Sequence, residues 1–197
     1  MTKRGYFILF EGCDGSGKST QARLLAESQL LNPRKQMCFP DRTTEIGKMI
    51  NQYLQKKGDL NDYAIHLLFS ANRWELSDQI QKLLNDGISI ICDRYWYSGV
   101  AYSAAKGLPL EWCKNPDVGI PQPDLVLFFD ADLDVLAKRP GYGEERYEKS
   151  EFQKKVRDVF IQLKDENWVM INANQPIEAV TSDVQKVVKE FIQNHPH

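Results

Sequence analysis

The feature that most constrains this chain is a short glycine-rich segment near its N-terminus. Residues 12–19 read Gly-Cys-Asp-Gly-Ser-Gly-Lys-Ser and fit the pattern GxxxxGK[ST]. The apolar run Tyr6–Glu11 precedes this segment, and the amphipathic stretch Ser19–Leu31 follows it. Between a strand and a helix, such a segment curls so that its N–H groups and the helix N-terminus face one anion. The segment therefore predicts a phosphate-binding loop, with a plain glycine-rich turn as the weaker alternative.

The side chains of this loop are suited to a nucleoside triphosphate. Lys18 would reach the β and γ phosphates of ATP, and the Ser19 hydroxyl would complete the shell of a Mg²⁺ ion. The implied cofactor is Mg²⁺, with ATP as the phosphoryl donor. The predicted ATP-binding residues are Gly12, Gly15, Ser16, Gly17, Lys18, Ser19 and Thr20.

Apolar runs alternate with longer amphipathic stretches along the chain, as in a parallel sheet with crossover helices. Two runs, Ile88–Asp93 and Leu125–Asp130, are nearly continuous in apolar residues, which suits strands covered on both faces. We predict a three-layer α/β fold whose five-stranded parallel sheet is flanked by helices. The predicted strands are Tyr6–Glu11, Gln36–Phe39, Ile88–Asp93, Leu125–Asp130 and Trp168–Asn172. The predicted helices are Ser19–Leu31, Thr43–Lys56, Asn61–Asn85, Tyr97–Lys106, Ser150–Glu166 and Pro176–Gln193.

Length, charge and cysteine content exclude several classes of protein. The 197 residues contain no repeat or long linker and predict one domain over residues 1–197. A net charge of -2 argues against a broad surface for nucleic acid or anionic lipid. No apolar run approaches the roughly 20 residues of a membrane span, and no secretory signal is evident. The four cysteines have neither a CxxC pair nor zinc-site spacing, so we expect free thiols in a reducing compartment. This favours a cytoplasmic protein, and a nuclear location is also compatible.

A metal bound to ATP also requires a carboxylate at the end of a buried strand. Asp93 and Asp130 both end predicted strands. Arg94 follows Asp93 directly, and a carboxylate beside a guanidinium suits a site where two phosphorylated substrates meet. We therefore predict Ser19 and Asp93 as the metal ligands, and we favour a strand-end or helix-capping role for Asp130.

Isolated arginines favour a small-nucleotide kinase over other proteins with such a loop. The sequence has no NKxD segment, which reads guanine in GTPases. Arg42, Arg73 and Arg94 come from separate predicted elements, and each stands near an aromatic residue. Guanidinium groups of this kind can hold the phosphate of an acceptor nucleotide. A solvated surface position remains an alternative for each arginine taken alone.

Longer segments of the sequence resemble the thymidylate kinase family, and its eukaryotic branch more than its bacterial one. The resemblance covers most of the chain, and its most specific segment is Leu67–Trp74, LLFSANRW. The other matching segments are Phe39–Arg42, Asp93–Tyr95, Ser98–Tyr102, Trp112–Asp117, Pro123–Val126 and Glu145–Glu148. The resemblance implies a nucleoside monophosphate kinase fold and transfer of the γ-phosphoryl of MgATP to dTMP, giving dTDP and ADP. It also implies a homodimer, because the family is commonly homodimeric.

The resemblance implies contacts with each part of dTMP. Phe69 would stack on the thymine ring while Arg73 donates to a base carbonyl, and these two residues are one helical turn apart. Asp14 would accept the 3′-hydroxyl, and Tyr102 would crowd the 2′ carbon and disfavour ribose. The implied dTMP-binding residues are Asp14, Phe39, Arg42, Phe69, Arg73, Arg94, Ser98, Gly99, Tyr102 and Tyr147.

One position departs from the family pattern. Eukaryotic members carry an arginine in the phosphate loop after the aspartate, and this chain has Gly15 there. An arginine for the transferred phosphoryl would then come from a lid segment around residues 138–149, which contains Arg139 and Arg146. The implied catalytic residues are Lys18, Asp14, Arg94, Asp93, Arg146 and Arg139.

Purely structural roles for some of these residues, and other functions for the chain, stay open at this point. Phe39 and Phe69 also fit ordinary core positions, and His66 fits a structural or solvated one. Another nucleotide or deoxynucleoside kinase would share the loop, although a nucleoside kinase has no acceptor phosphate for Arg42 and Arg94 to hold. A regulatory module that binds nucleotide without turnover is a more distant alternative.

Overall fold

The computed structural model describes residues 3–136, 143 and 145–196. Its strands form one sheet in the order β2-β3-β1-β4-β5, and each pair of neighbours is parallel. The strands are β1 Phe7–Gly12, β2 Arg34–Cys38, β3 Ser89–Asp93, β4 Leu125–Asp130 and β5 Trp168–Asn172. The helices are α1 Lys18–Glu27, α2 Glu45–Leu54, α3 Asp62–Trp74, α4 Ser77–Asn85, α5 Trp96–Ala104, α6 Leu110–Lys114, α7 Leu133–Leu136, α8 Ser150–Leu163 and α9 Ile177–Asn194.

Helices cover both faces of the sheet, because alternate residues of its central strands point to opposite sides. Phe7 and Leu9 of β1 join a core formed with α4, α5 and α8. Ile8 and Phe10 join a second core formed with α1, α7 and α9. All six residues of β1 are buried. The three-layer α/β fold is therefore confirmed.

The longest predicted helix, Asn61–Asn85, is wrong as a single element, since the structure has two helices there. Asn61 caps α3 as expected, accepting a hydrogen bond from the backbone N–H of Tyr63 at 2.9 Å. Between α3 and α4, the Glu75 carboxylate accepts hydrogen bonds from Thr44 Oγ1 and Asn72 Nδ2, at 2.9 and 3.1 Å. The contact with Thr44 is tertiary and holds the chain at the junction, where the sequence contains neither proline nor glycine to mark a break.

The remaining differences lie at element ends and in short elements. The largest is in α1, which ends at Glu27 rather than the predicted Leu31, because the chain turns at Gln29 with a φ of 64°; α8 ends at Leu163 rather than Glu166. Strand β1 runs one residue further than predicted, to Gly12, and β2 begins at Arg34 rather than Gln36. Element ends commonly differ by one or two residues between methods of assignment. Helices α6 and α7, and a 3₁₀ turn at Asn115–Asp117, were not predicted because they are too short to show a hydrophobic period.

The strand ends that carry the predicted site residues lie at one edge of the sheet. Because neighbouring strands are parallel, β1, β3 and β4 all end on the same side, beside the glycine-rich loop. In open α/β sheets, ligands bind in the crevice outside these carboxyl ends. Within the described ranges, each helix is too short or too polar to cross a lipid bilayer.

Candidate active site

The glycine-rich loop wraps around the ammonium group of Lys18. Gly12, Gly15 and Gly17 have φ angles of 143°, 74° and 92°, which favour glycine. Lys18 Nζ donates to the Cys13 carbonyl at 2.6 Å and to Ser16 Oγ at 3.1 Å. Loop and helix thus take the geometry that the sequence predicts for a phosphate site.

The position of Lys18 alters its acidity. The side chain is buried, and burial together with the nearby Arg94 cation lowers its pKa to about 8. A phosphate group bound in the loop would add negative charge beside this ammonium group, where Asp93 and Asp14 already favour its charged form. Of the other predicted ATP-binding residues, Ser16 is buried, Ser19 is exposed and Thr20 is half-buried at the start of α1.

Ser19 and Asp93 lie together at the mouth of the loop. Ser19 Oγ donates a hydrogen bond to Asp93 Oδ2. Asp93 Oδ1 is buried and has no hydrogen-bond partner among the described residues. A hydroxyl and an unsatisfied carboxylate oxygen are the hard donors that Mg²⁺ prefers, and Mg²⁺ takes its other ligands from water and substrate phosphates. The donor set therefore fits Mg²⁺, although the described residues contain no cluster of three metal-ligating side chains.

Arg94 follows the end of β3 and points back at the loop. Its guanidinium pairs with Asp14, and its Nη1 donates to the Gly12 carbonyl at 3.2 Å and to Ser98 Oγ at 3.1 Å. The Arg94 backbone has a φ of 64°, an uncommon conformation for a residue with a side chain. Arg94 also lies over the ring of Tyr102, 5.3 Å from its centroid. The structure thus fixes this cation between the loop and the neighbouring cavity.

Glu11 is a site residue that the sequence analysis missed. This fully buried carboxylate accepts hydrogen bonds from the N–H groups of Tyr95 and Ser98, at 2.9 and 3.1 Å, and from Ser98 Oγ at 2.6 Å. Burial raises its pKa, and the charge of Arg94 opposes that rise. Glu11 therefore positions the segment that carries Arg94. Its signal in the sequence is an acidic residue ending an apolar strand.

A cavity of about 250 Å³ opens beside the loop, on the β2 and β3 side. It unites residues from distant parts of the sequence, including every residue that the resemblance assigns to dTMP. These lining residues are Asp14, Phe39, Arg42, Phe69, Arg73, Arg94, Ser98, Gly99, Tyr102 and Tyr147. Ser19 and Asp93 also line the cavity. The predicted acceptor and metal positions therefore share one cavity.

At one end of this cavity, Arg73 is locked by Asp117. Arg73 Nε and Nη2 donate to the two Asp117 oxygens at 2.8 and 2.7 Å, and both side chains are at most 3% exposed. The absence of a side chain at Gly99 matters here, since a Cβ would lie 2.7 Å from Arg73 Nη2. Phe69, one turn before Arg73, is half-buried. Asp117 was not predicted as a site residue, although it ends a segment that carries the family resemblance.

Aromatic rings form a wall of the cavity. Tyr102 lies 5.4 Å from Tyr147 between ring centroids, and the Tyr147 hydroxyl is hydrogen-bonded to Tyr53 at 3.2 Å. Phe39 is 4% exposed and packs on Tyr95, with centroids 5.3 Å apart. Phe39 is thus both a core residue and a cavity residue, so its two sequence interpretations do not exclude each other.

Arg42 lies at the open side of the cavity. Its Nη1 donates to Asn51 Oδ1 at 2.9 Å and to Glu145 at 2.8 Å. With 42% of its side chain exposed, Arg42 can exchange these partners for a ligand at little cost. His66, by contrast, is fully buried and bonds to Ser103 Oγ at 2.7 Å and to the Cys113 carbonyl at 3.0 Å. Its structural interpretation is confirmed.

Gln153 on α8 is a second residue that sequence reasoning missed. It accepts a hydrogen bond from the Asp14 N–H at 2.9 Å, and its amide donates to Asp14 Oδ2 at 2.6 Å and to the Tyr147 carbonyl at 2.9 Å. Both Asp14 oxygens are therefore engaged, one by Gln153 and one by Arg94. The side chain of Gln153 is fully buried and joins α8 to the phosphate loop.

Of the two lid arginines, only Arg146 belongs to the described part of the chain, and its contacts lie outside the cavity. Arg146 donates to the carbonyls of Tyr53 and Gly58, each at 2.9 Å, and pairs with Asp59 at 2.9 Å. It does not line the cavity. Arg139 lies outside the described residues, as does much of the predicted lid around residues 138–149. Arg146 and Arg139 as suppliers of charge to the transferred phosphoryl therefore stay predictions.

Comparison with known proteins extends the resemblance to whole chains. A family model described as thymidylate kinase matches residues 10–184. The thymidylate kinase of Dictyostelium discoideum is 50% identical over 192 residues, 95% of this chain and 86% of the relative. The human thymidylate kinase is 46% identical, over 97% of this chain and 93% of its own. A solved structure of thymidylate kinase from Candida albicans superposes with a TM-score of 0.87 at 46% identity, covering 95% of this chain and 92% of that one.

These relatives share the sequence pattern over nearly their whole length, and the solved structure shares the fold. The match includes the loop, the LLFSANRW segment and the strand-end Asp93 and Arg94. Parallel sheet, phosphate loop and adjoining cavity thus occur here in a chain that belongs to the thymidylate kinase family.

Proposed function

We propose that this protein transfers the γ-phosphoryl group of ATP to dTMP, giving dTDP and ADP. The observation that carries the proposal is the single cavity in which a base-binding end and a phosphate-binding end adjoin the loop. Phe69 and Arg73 lie at the first end, and Arg42 and Arg94 serve the second. A pyrimidine monophosphate held this way directs its phosphate at the loop, where the donor phosphates bind.

The chemistry requires positioning and charge neutralisation rather than covalent catalysis. The acceptor phosphate oxygen is already anionic near neutral pH, so no general base is needed. The barrier lies in bringing two polyanions together in line. Lys18 and the loop N–H groups would hold the donor phosphates, while Arg94 would neutralise the acceptor. The contacts of Arg94 with Asp14 and Gly12 keep its position before substrate binds.

Mg²⁺ is the metal that the donor oxygens fit. Ser19 Oγ and the unpartnered Asp93 Oδ1 would hold it, Asp93 directly or through water. When bound, the ion neutralises charge on the ATP phosphates. The protein's own part is to keep Ser19 and Asp93 together across 74 residues of sequence.

We also propose one domain over residues 1–197, with a lid segment around residues 138–149 that supplies an arginine. Gly15 leaves the loop without the arginine of eukaryotic relatives, so we infer that Arg139 or Arg146 of the lid segment takes its place. Arg146 would have to leave Tyr53, Gly58 and Asp59 to reach the phosphates. An arginine of this kind is worth on the order of 10³-fold or more in rate.

A homodimer and a cytoplasmic location complete the proposal. Leu60, Tyr63 and Leu67 leave 38%, 46% and 47% of their surface exposed. Tyr63 and Leu67 are one turn apart on α3 and share a face, as residues of a helix-pairing surface would. The four cysteines are free, in keeping with a reducing compartment.

A substrate panel tests the reaction. ADP release is measured with MgATP and, in turn, dTMP, dUMP, CMP, AMP and thymidine. We expect dTMP to give the highest kcat/KM, because Arg42 and Arg94 need a phosphate and Phe69 and Arg73 suit a pyrimidine. Lys18→Ala is the control and should abolish turnover with every acceptor while the protein stays folded.

Each rival function predicts a different result in the same panel. Turnover with thymidine but with no monophosphate would indicate a nucleoside kinase. ATP binding without ADP release from any acceptor would indicate a nucleotide-binding module. Higher kcat/KM with AMP or CMP would contradict the assignment of the base-binding end.

A further inference from the structure

The acceptor cavity fixes the direction from which the donor nucleotide approaches. The cavity lies at the ends of β2 and β3, on one side of central strand β1. In phosphoryl transfer the attacking and leaving oxygens are roughly in line. The rest of the donor must therefore leave the loop on the opposite side of β1, toward β4 and β5.

A fixed arginine stands on that side. Arg157 of α8 donates from Nε and Nη2 to the two Asp130 oxygens, at 2.7 and 2.8 Å. Asp130 ends β4, directly after Phe129, which is in register with Gly12 of the loop. A Cβ built on Gly12 would lie only 2.6 Å from the Phe129 carbonyl oxygen. The ion pair is thus one residue from the point where β4 touches the start of the loop.

A second set of contacts, made by Gln153 of α8, also connects the helix that carries Arg157 to the loop. Gln153, one turn before Arg157, is bonded to Asp14 of the loop, and the Cys13 thiol donates to the Gln153 carbonyl at 3.6 Å. Burial raises the pKa of that thiol to about 11, and Lys18, Arg94 and Arg157 oppose the rise. The charge of Arg157 therefore acts on the loop itself.

We propose that Arg157, held in place by Asp130, is a donor-site residue that contacts the phosphates of ATP on the β4 side of the loop. This inference rests on the proposed phosphotransfer and adds a cation to its donor half. Asp130 takes two of the five N–H donors of the guanidinium and fixes its plane, which leaves the others for phosphate oxygens. The side chain is 38% exposed, so a ligand can reach it.

Charge balance around the loop gives the same assignment. Among the described arginines, Arg42, Arg73 and Arg94 line the acceptor cavity. Gly15 contributes no charge, so Lys18 is the only side-chain cation that the loop itself, residues 12–19, offers to the donor phosphates. Arg157 supplies a positive group on the donor side that needs no rearrangement, because Asp130 orients it before ATP binds.

The test separates donor binding from acceptor binding. Affinities for ATP and dTMP are measured by calorimetry, each nucleotide alone, and KM and kcat by ADP release. Arg157→Ala should weaken ATP binding about tenfold or more, as loss of a charged hydrogen bond does, and leave dTMP affinity within twofold. Arg157→Lys should recover part of the loss, and Asp130→Asn should give an intermediate value because it keeps the cation but weakens its orientation.

Arg23→Ala is the matched control. Arg23 also pairs with a carboxylate, Glu27, at 2.8 Å, but on the exposed surface of α1. It should leave both affinities and kcat unchanged. If Arg157→Ala melts at a lower temperature than the unsubstituted protein, Arg157→Gln provides the comparison, since its amide can still donate to Asp130.

Two results would overturn the inference. ATP affinity and kcat that stay unchanged in folded Arg157 variants would exclude contact with the donor. An equal loss of ATP and dTMP affinity would indicate that the Arg157–Asp130 ion pair only holds α8 against β4. Both differ from failure of the proposed function, in which the unsubstituted protein makes no dTDP although its ATP affinity can still be measured.

Discussion

The ammonium group of Lys18 is surrounded by loop atoms rather than by water. Its bonds to the Cys13 carbonyl and to Ser16 Oγ keep it buried, and its pKa falls to about 8. A polyanion bound in the loop favours the charged form and raises the pKa again. ATP binding is therefore linked to protonation of a single side chain.

This linkage predicts proton uptake when ATP binds above pH 8. Well below pH 8 Lys18 already carries its proton, so ATP binding takes up little or none there. As the pH rises through about 8 the free protein loses that proton, and ATP must restore it, so apparent ATP affinity declines. Calorimetry at pH 9 in buffers of different ionisation enthalpy measures the uptake. Binding of dTMP, which does not contact Lys18 in the proposed complex, is the control, and zero uptake with ATP would contradict the prediction.

Gly99 shows how the lack of a side chain preserves a site. A Cβ there would lie 2.7 Å from Arg73 Nη2, and Asp117 prevents the guanidinium from moving away. Gly99→Ala should weaken dTMP binding about tenfold, because the guanidinium must shift, and should lower the unfolding free energy by about 1–3 kcal/mol through overpacking. Gly58→Ala is the control, since nothing lies within 4 Å of a Cβ there. Native dTMP affinity in Gly99→Ala would refute this account.

At the scale of elements, the segment 145–147 links the end of α2 to the cavity. Arg146 binds the Tyr53 carbonyl, while Glu145 and Tyr147 on either side line the cavity. This arrangement gives Arg146 an anchoring role that exists alongside its proposed catalytic one. Loss of the catalytic role should lower the rate of phosphoryl transfer, whereas loss of the anchoring role should lower dTMP affinity.

Removing both lid arginines tests the catalytic role. The double variant Arg139→Ala/Arg146→Ala should lower the single-turnover rate of phosphoryl transfer by about 10³-fold or more. Arg146→Ala alone should also reduce dTMP affinity, because it releases Glu145 and Tyr147 from α2. Rapid-quench measurements of dTDP formation, with dTMP affinity measured separately, distinguish the two effects. A native rate in the double variant would end the lid-arginine proposal.

The local sequence pattern was enough to predict most helices and strands. It could not predict which side chains contact each other across long stretches of sequence. The loop at residues 12–19 and the five strands follow from short runs whose period and order are local. The break at Glu75 follows from its contact with Thr44, 31 residues away. Gln153 meets Asp14 across 139 residues, and Arg73 meets Asp117 across 44. Such pairs depend on the assembled fold, so one sequence reveals the residue types but not their partners.

At the scale of the whole molecule, the exposed face of α3 predicts self-association. Leu67→Glu would place a charge on that face, and burial of an unpaired charge is costly. We expect the unsubstituted protein to sediment as a dimer and Leu67→Glu as a monomer. Met49→Glu is a matched control on α2, where Met49 is 50% exposed. A monomer in both proteins at micromolar concentration, measured by analytical ultracentrifugation, would refute the proposed homodimer.

Central strand β1 separates the proposed dTMP side of the site from the proposed ATP side, and this separation predicts whether the free-energy effects of two substitutions add. Free-energy effects of distant sites without shared partners usually add within about 0.5 kcal/mol. Phe69→Ala on the β3 side and Arg157→Lys on the β4 side should therefore give additive losses of transition-state stabilisation. Asp14 is bonded to Arg94 on one side and to Gln153 on the other, so Asp14→Asn should be non-additive with substitutions of either. A double-mutant cycle through Asp14 would thus locate the energetic coupling between the two substrates at one carboxylate.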